Sequence, residues 1–561
     1  MVTHAADQLK ISCPGAKIES GSNATHRMAV ELALSDPSFY PHPVKRIQIE
    51  ETHISKVFLT GDFVYKLKKP VDLGFLDFTS LEKRRRFCEK EVLLNRRFSR
   101  EVYLDVVAIT LERDGYALNG PGKPVEYVVR MRQLPRDKTM LELMKQGKVK
   151  DVMLQELVRL LSRFYEGAQR GPEIDAYGSR RAIELNTEED FIDTEPFVPS
   201  ILNKKKFSHL HQAVLSFIED RAELLQRRIS TGFIRDCHGD LRLGHIYFLD
   251  RNDFPNGIQI IDCIEFNDRF RYGDVAADLA FLAMELDYYC FSEAGQALLT
   301  GYARAADDPE VFLVLDFYKC YRAHVRCKVE CIRQSAGDLL ASKATLAVER
   351  AKRYFDLAYQ YAATFSHPTL WIVCGLIGSG KSTIASEMSE RMCLRIHESD
   401  AIRKKFFGFR PREPAVKPYG EGIYTPVATA QTYERILLAA REELFSGKSV
   451  ILDATFGRRQ HRDAFRCLAE EMGANVIFVE CLSPDSVLRQ RLAVRQAQAS
   501  ISDARLQHLE AHRRAFEPLT ELAGDIHLPV RTDQPLQQIL QQIFSTAYLL
   551  EGKQSTESQL V

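Results

Sequence analysis

Residues 375–382 read GLIGSGKS and fit the spacing Gly-x-x-x-x-Gly-Lys-Ser. Each residue type at that spacing has a task at a polyphosphate. Gly375, Gly378 and Gly380 let the backbone, continued through Leu376, Ile377 and Ser379, wrap close to phosphate oxygens. Successive N–H groups and the N-terminus of the following helix then face the anion. Lys381 can reach the β- and γ-phosphates of ATP, and Ser382, followed by Thr383, offers a hydroxyl to Mg²⁺. Downstream, HESDAIRKKF places Asp400 and Arg403 where an acceptor hydroxyl could meet a carboxylate base and an anion-binding guanidinium. ILDATF ends an apolar run on Asp453, which suits the water shell of Mg²⁺. RLAVRQ supplies Arg491 and Arg495, four apart on one helical face, suited to closing over a transferred phosphoryl group. Asp400 equally suits a helix N-cap, and the two arginines a solvated helix face.

A second group of chemically able residues lies in the first half of the chain. CHGDLRLGHIYF, residues 237–248, sets His238, Asp240 and His245 in one short loop. Asp262 follows an apolar run, 22 residues beyond Asp240. FVYK contributes Lys66, CEKEVLLN contributes Glu91, and Asp274 and Asp278 flank a helix start. Lys68 points to the same side of its strand as Lys66, because side chains alternate with a period of two.

These residues need particular elements to bring them together. HISKVFLTGDFVYKLKK, residues 53–69, reads as a hairpin about Gly61-Asp62. Helical periodicity covers 80–99, and strand-like segments follow near 103–111 and 126–132. From about 151 the pattern is mainly helical, broken by a polar loop through 170–200 and by a strand pair flanking 246–262. Residues 309–364 predict two or three helices, and Ser366-His367-Pro368 breaks the pattern. Apolar strands at 370–374, 394–397, 449–453 and 475–481 then alternate with helices, the sign of a parallel α/β sheet.

Composition narrows the choice of class. At 561 residues the chain exceeds one hydrophobic core, since cores stop growing near ~250–300 residues. Its 76 basic and 76 acidic residues cancel, so no overall field favours nucleic acid or an anionic membrane. Neither a signal peptide nor an apolar run of spanning length is present, which predicts a cytoplasmic protein. The 12 cysteines show no zinc-finger spacing and read as reduced thiols.

Through GLIGSGKS, Ser399-Asp400 and the arginine pair, residues 369–550 resemble the small P-loop kinases typified by gluconate kinase, and the zeta-toxin and polynucleotide 5′-kinase groups. Through His238, Asp240, Asp262, the later aspartate pair and the hairpin lysine, residues 45–340 resemble the protein-kinase-like aminoglycoside phosphotransferase group, with its choline and homoserine kinase relatives. The whole chain resembles a bacterial group in which the two are fused. That resemblance implies an α+β protein-kinase-like bilobal domain followed by an α/β P-loop domain with a parallel sheet flanked by helices. The implied boundaries are an extension 1–44, domains 45–365 and 369–550, and a tail 551–561. It also implies that Asp240 is the base for a substrate hydroxyl, that Asp262 is the main Mg²⁺ ligand, and that Lys66, oriented by Glu91, holds the α- and β-phosphates.

Two features depart from that group. No glycine-rich signature precedes Lys66, only the tight turn at Gly61. His245 occupies the position of a metal-binding Asn, and imidazole suits Mn²⁺, Zn²⁺ and other transition metals better than Mg²⁺. His245 could bind a softer metal, leave one Mg²⁺ on Asp262, replace an ion with its own charge, or fill space. The expected activity is ATP-dependent transfer to hydroxyls of small metabolites, with Mg²⁺, and Mn²⁺ possible at the first site. The rivals are a nucleotide-sensing domain fused to an ATP-driven switch, and a polynucleotide 5′-hydroxyl kinase.

Overall fold

Gln48–Glu51 (β1), Ser55–Leu59 (β2) and Phe63–Lys68 (β3) open an antiparallel sheet. Gly61 makes the expected turn between the last two, at a φ of +106° that favours glycine. Tyr103–Glu112 (β4), Gly115–Leu118 (β5) and Lys123–Arg132 (β6) complete it in the order β1-β2-β3-β6-β4-β5. Along β3 the residues alternate between two cores. Tyr65 and Leu67 pack with Val107, Ile109 and Val128, whereas Val64 packs with Val129, Met131 and with Cys88 and Val92 of the helix Leu81–Asn95. Ser80 caps that helix by accepting a hydrogen bond from the Lys83 N–H at 3.2 Å. The structure, a computed structural model, describes residues 22–74, 76–335, 341–410, 413, 418, 420–495 and 503–558.

Four three-residue strands follow: Ile234–Asp236 (β7), Ile246–Phe248 (β8), Ile258–Ile260 (β9) and Tyr272–Asp274 (β10). β7 pairs with β10 and β8 with β9, both antiparallel. The loops carrying Asp240 and Asp262 thus leave one ladder and enter the other.

A parallel sheet forms beyond residue 368 from Thr369–Cys374 (β11), Arg395–Glu398 (β12), Val450–Asp453 (β13), Asn475–Leu482 (β14) and His527–Arg531 (β15), in the order β12-β13-β11-β14-β15. Every residue of β11 and β13 is buried, as expected when helices cover both faces. The helices Lys381–Met392, Pro426–Phe445 and Arg459–Met472 flank it. The fold class expected from the sequence is present as an antiparallel sheet covered by a helix and, beyond it, a parallel α/β layer.

Three features differ from the reading of the sequence. β15 was not expected; it is short, lies at the sheet edge and contains Pro529, which an edge strand tolerates. The polar loop expected at 170–200 holds a helix, Arg180–Thr194, capped by Ser179. Its buried face includes Thr187, Asp190 and Thr194 beside Ile183 and Phe191, so hydrophobicity alone does not reveal the period. The helix Leu536–Ser558 also runs into the segment assigned as a tail.

The described residues divide into two packing units: those up to Tyr177 with Ile234–Gly295, and Gly178–Phe233 with those from Gln296 onward. The units interleave along the chain and do not coincide with the segments 45–365 and 369–550, which follow resemblance and not packing. In the second unit Lys319 of the helix Val311–Gln334 donates to the Tyr548 hydroxyl of Leu536–Ser558 at 2.8 Å. Glu310 also accepts from Arg227 at 2.9 Å and from Arg391 at 3.0 Å. Among the described residues no helix is long and apolar enough to cross a membrane.

Candidate functional sites

In the first unit, β3 directs Lys66 and Lys68 to the face covered by the helix Leu81–Asn95, and the structure separates their partners. Lys66 Nζ donates to Asp262 Oδ1 at 2.7 Å and lies 2.8 Å from Glu91 Oε1. Lys68, fully buried, lies 2.6 Å from Glu91 Oε2 and also pairs with Glu265. Burial opposes the charge on Glu91, but Lys66 and Lys68 hold its carboxyl below the ordinary range. Burial raises the Glu265 carboxyl. Asn95, one turn past Glu91, accepts from the Cys263 N–H at 2.9 Å and so ties the same helix to the Asp262 loop.

Asp262 has a φ of +67°, a region that a non-glycine residue occupies only when its surroundings enforce it. Its N–H donates to the Tyr103 hydroxyl at 3.1 Å. Burial would raise its carboxyl, but Lys66 and then His245 hold it well below the usual range, so it is an anion.

The Asp240 loop is braced from beneath. Asp278 accepts from the backbone N–H of His238 at 2.6 Å and of Gly239 at 2.8 Å. A side chain at Gly239, φ +86°, would meet the Phe270 carbonyl at 2.7 Å, so glycine is required. His238 Nε2 lies 3.1 Å from the Ile261 carbonyl, and Nδ1 accepts from the Asp240 N–H at 3.3 Å. Burial lowers its pKa to about 3, so a neutral imidazole links the two loops. Donor atoms of Asp240, His245 and Asp262 all lie within 4.8 Å of one another. The sequence missed the bracing role of Asp278, whose signal was only its place near a helix start.

In the second unit the loop of residues 375–380 leaves β11 and enters the helix Lys381–Met392. Gly375, Gly378 and Gly380 have φ of +134°, +77° and +92°. A Cβ on Gly375 would stand 2.6 Å from the Cys481 carbonyl. Ile377 is buried against Leu488, Leu492 and Leu509. Lys381 donates to the Leu376 carbonyl at 3.0 Å. A cleft of about 640 Å³ opens beside the loop, and Lys381, Ser382, Thr383, Asp400, Arg403 and Asp453 all line it.

Asp400 and Arg403 pair at 2.8 Å, and the Arg403 guanidinium lies 4.7 Å from the Tyr424 ring centroid. Asp400 is not the N-cap of its helix, a position taken by Glu398. Residues without a local sequence signal complete the wall. Tyr424 donates to Asp503 at 2.8 Å, and buried Lys404 pairs with Asp503 at 3.2 Å. Burial, and then the charge of Lys381, lowers His512 to about 4. Glu398, two residues before Asp400 and opposite Asp453 in the sheet register, is raised by burial and then by Asp453.

Arg491 stands against the loop beside the cleft: it donates to the Thr532 hydroxyl at 3.2 Å and the Gly378 carbonyl at 3.5 Å, and its guanidinium lies next to Gly380. Arg495 ends the same helix, Asp485–Arg495, and its side chain lies outside the described part.

Residues 370–519 match the family model described as "AAA domain". The chain is 32% identical over 481 residues to the uncharacterized protein Rv2004c of Mycobacterium tuberculosis H37Rv, covering 84% of this chain and 92% of that one, and matches Mb2027c of Mycobacterium bovis equally. Among solved structures it is similar to a gluconokinase from Sinorhizobium meliloti 1021, at 21% identity and TM-score 0.25, covering 33% of this chain and 95% of that one. It is also similar to a choline/ethanolamine kinase family protein from Mesorhizobium loti, at 13% identity and TM-score 0.36, covering 60% of this chain and 98% of that one.

Proposed function

The chain belongs to the family of the mycobacterial proteins Rv2004c and Mb2027c, and from that premise we propose that it is an ATP-dependent phosphotransferase with two nucleotide sites, each passing the γ-phosphoryl group to a hydroxyl of a small metabolite. We assign the first site to residues 45–365 and the second to residues 369–550. The observation that carries this reading is the cleft in which Asp400 and Arg403 face the same space as Lys381, Ser382 and Asp453. A nucleotide switch needs the last three alone; the first two give an acceptor somewhere to bind.

In the second site the N–H groups of residues 375–383 cradle the phosphates, and Lys381 exchanges the Leu376 carbonyl for phosphate oxygens. Ser382 and Asp453 would hold Mg²⁺, which supplies charge neutralisation when bound. Arg403 orients the acceptor. Asp400 takes the hydroxyl proton as the acceptor oxygen bonds to the γ-phosphorus and the bond to the β,γ-bridging oxygen breaks, leaving ADP. Arg491 holds the loop in position, and Arg491 and Arg495 are the candidates to close over the phosphoryl group. In the first site Asp240 takes the acceptor proton, while Lys66, kept in place by Glu91, binds the α- and β-phosphates. Asp262 and His245 are the residues that would hold a divalent ion there.

The test is transfer from γ-labelled ATP into a fractionated small-metabolite extract, with Mg²⁺ or Mn²⁺, comparing the full chain with Asp240→Ala and Lys381→Ala. Each substitution is expected to remove a different labelled product, Lys381→Ala by at least about a hundredfold. If Asp240→Ala changes nothing while Lys381→Ala removes all transfer, the first site binds without catalysing. Label released only to water identifies an ATP-driven switch, and label on a 5′-hydroxyl oligonucleotide a polynucleotide acceptor.

A further inference from the structure

The ring of His245 is held as a ligand would be. Its Nδ1 lies 3.0 Å from the backbone oxygen of Asp240. A carbonyl only accepts, so in the neutral ring Nδ1 carries the proton and Nε2 keeps its lone pair. A metal-bound imidazole characteristically donates its other N–H to a carbonyl or carboxylate, which fixes its tautomer and aim. Here the Asp240 carbonyl is that partner, and Asp240 Oδ2 stands behind it, 3.5 Å from Nδ1.

Nε2 faces Asp262, 3.8 Å from Oδ2. This is too long for a hydrogen bond, and it falls between the ~3.0 Å and ~4.2 Å that separate two donors held at ~2.1 Å by one ion at right angles or on opposite sides of it, so a small shift of either side chain admits an ion between them. The two oxygens of Asp262 are divided between partners: Oδ1 accepts from Lys66 at 2.7 Å, and Oδ2 is turned toward the imidazole. The backbone at φ +67° and the Tyr103 hydroxyl on its N–H fix the main chain from which this carboxylate projects, and Lys66 on Oδ1 sets its orientation independently of His245.

We propose that His245 Nε2 and Asp262 Oδ2 form a mixed nitrogen and oxygen site that binds Mn²⁺ in preference to Mg²⁺. Mg²⁺ is a hard ion that favours six oxygens and retains its waters. An imidazole nitrogen is a poor exchange for water at Mg²⁺ and a better one at a first-row transition ion, while Mn²⁺ still accepts the oxygen-rich remainder. The choice of ion deepens the function proposed for this site and rests on that reading. It is measured without nucleotide or acceptor, so either can fail while the other stands.

The experiment titrates Mn²⁺ into the full chain without nucleotide, in a tenfold excess of Mg²⁺. Electron paramagnetic resonance counts the free Mn²⁺, and the pulsed form of the measurement looks for coupling to ¹⁴N. One Mn²⁺ per chain, bound despite the Mg²⁺ and coupled to nitrogen, is expected. His245→Asn should abolish the coupling and weaken Mn²⁺ by at least about tenfold without weakening Mg²⁺. The nitrogen coupling is read on the unaltered chain, so a variant that fails to fold does not remove the test. Mn²⁺ bound without nitrogen coupling, Mn²⁺ displaced by the Mg²⁺, or Mn²⁺ affinity unchanged in His245→Asn would each overturn the proposal.

Discussion

On the function proposed above, the two candidate sites of this chain solve the same problem, holding a polyphosphate beside a base, with opposite materials. In the second unit the cradle is backbone, contained in a few consecutive residues whose glycines take left-handed conformations. In the first unit it is side chains drawn from β3, the helix Leu81–Asn95 and two loops, with Lys66 reaching Asp262 across 196 positions of sequence. A backbone cradle fails when one glycine gains a side chain. A side-chain cradle fails when one charge loses its counterpart, because the remaining charges are already out of water.

The largest expected effect therefore falls in the first unit. Glu91 pairs with two lysines, one fully buried. Glu91→Ala leaves the Lys68 ammonium with Glu265 alone and Lys66 with Asp262 alone. Loss of one member of such a buried network costs about 3–5 kcal/mol. Denaturant melts should show that loss, and hydrogen exchange should place it in the first unit. A loss below 1 kcal/mol would mean that the network is solvated and that the contrast between the two sites is weaker than their geometry implies.

Gly375→Ala probes the other material. The alanine must keep a φ of +134° with its Cβ 2.6 Å from the Cys481 carbonyl, or the loop must move. Such strain costs on the order of 1–3 kcal/mol. Nucleotide binding at the second site should be lost, since the loop's N–H groups no longer converge, while binding at the first site persists. Titration calorimetry with a non-hydrolysable ATP analogue would report one site lost; loss of both would show that the two are not separately built.

The same contrast decides what could be read from sequence. GLIGSGKS was legible because chemistry and spacing coincide in eight residues, and β11 and β13 were legible through their apolar runs at 370–374 and 450–452. In the first unit the identities of Asp240, Asp262, Lys66 and Glu91 could be guessed, but the choice between Lys66 and Lys68 could not, since both share one strand face. Only the fold shows that Lys66 reaches Asp262 and that Lys68 is buried against Glu265. Tyr424, Asp503 and His512 had no local signature because their roles arise from long-range contacts. Helical spacing gives Arg491 a face but not a neighbour, and the fold supplies Thr532 as that neighbour. β15 and the helix Arg180–Thr194 were hidden for the same physical reason, since Pro529 in one and buried polar residues in the other obscure the hydrophobic period.

The smallest expected effect is in the response to acid, and it separates the units by histidine. His238 in the first unit is lowered to about 3, and His324 in the second unit likewise, each by burial first. A histidine that is neutral in the native state and ordinary when unfolded makes the unfolded state bind more protons between the two values. Stability then rises with pH through that window, and is lost as the pH falls below about 6.5 toward about 3. For one such group the loss between pH 7 and pH 5.5 is about 1 kcal/mol. His238→Gln keeps a neutral donor and acceptor between the Asp240 and Asp262 loops but cannot titrate. The variant should be less stable at neutral pH, yet its first unit should lose about 1 kcal/mol less than the natural chain on acidification. The second unit should keep its full acid response through His324. Hydrogen exchange of amides in each unit at the two pH values measures both. An unchanged acid response in the first unit would show that His238 does not stay neutral, and that the strut joining the two loops is a charged one.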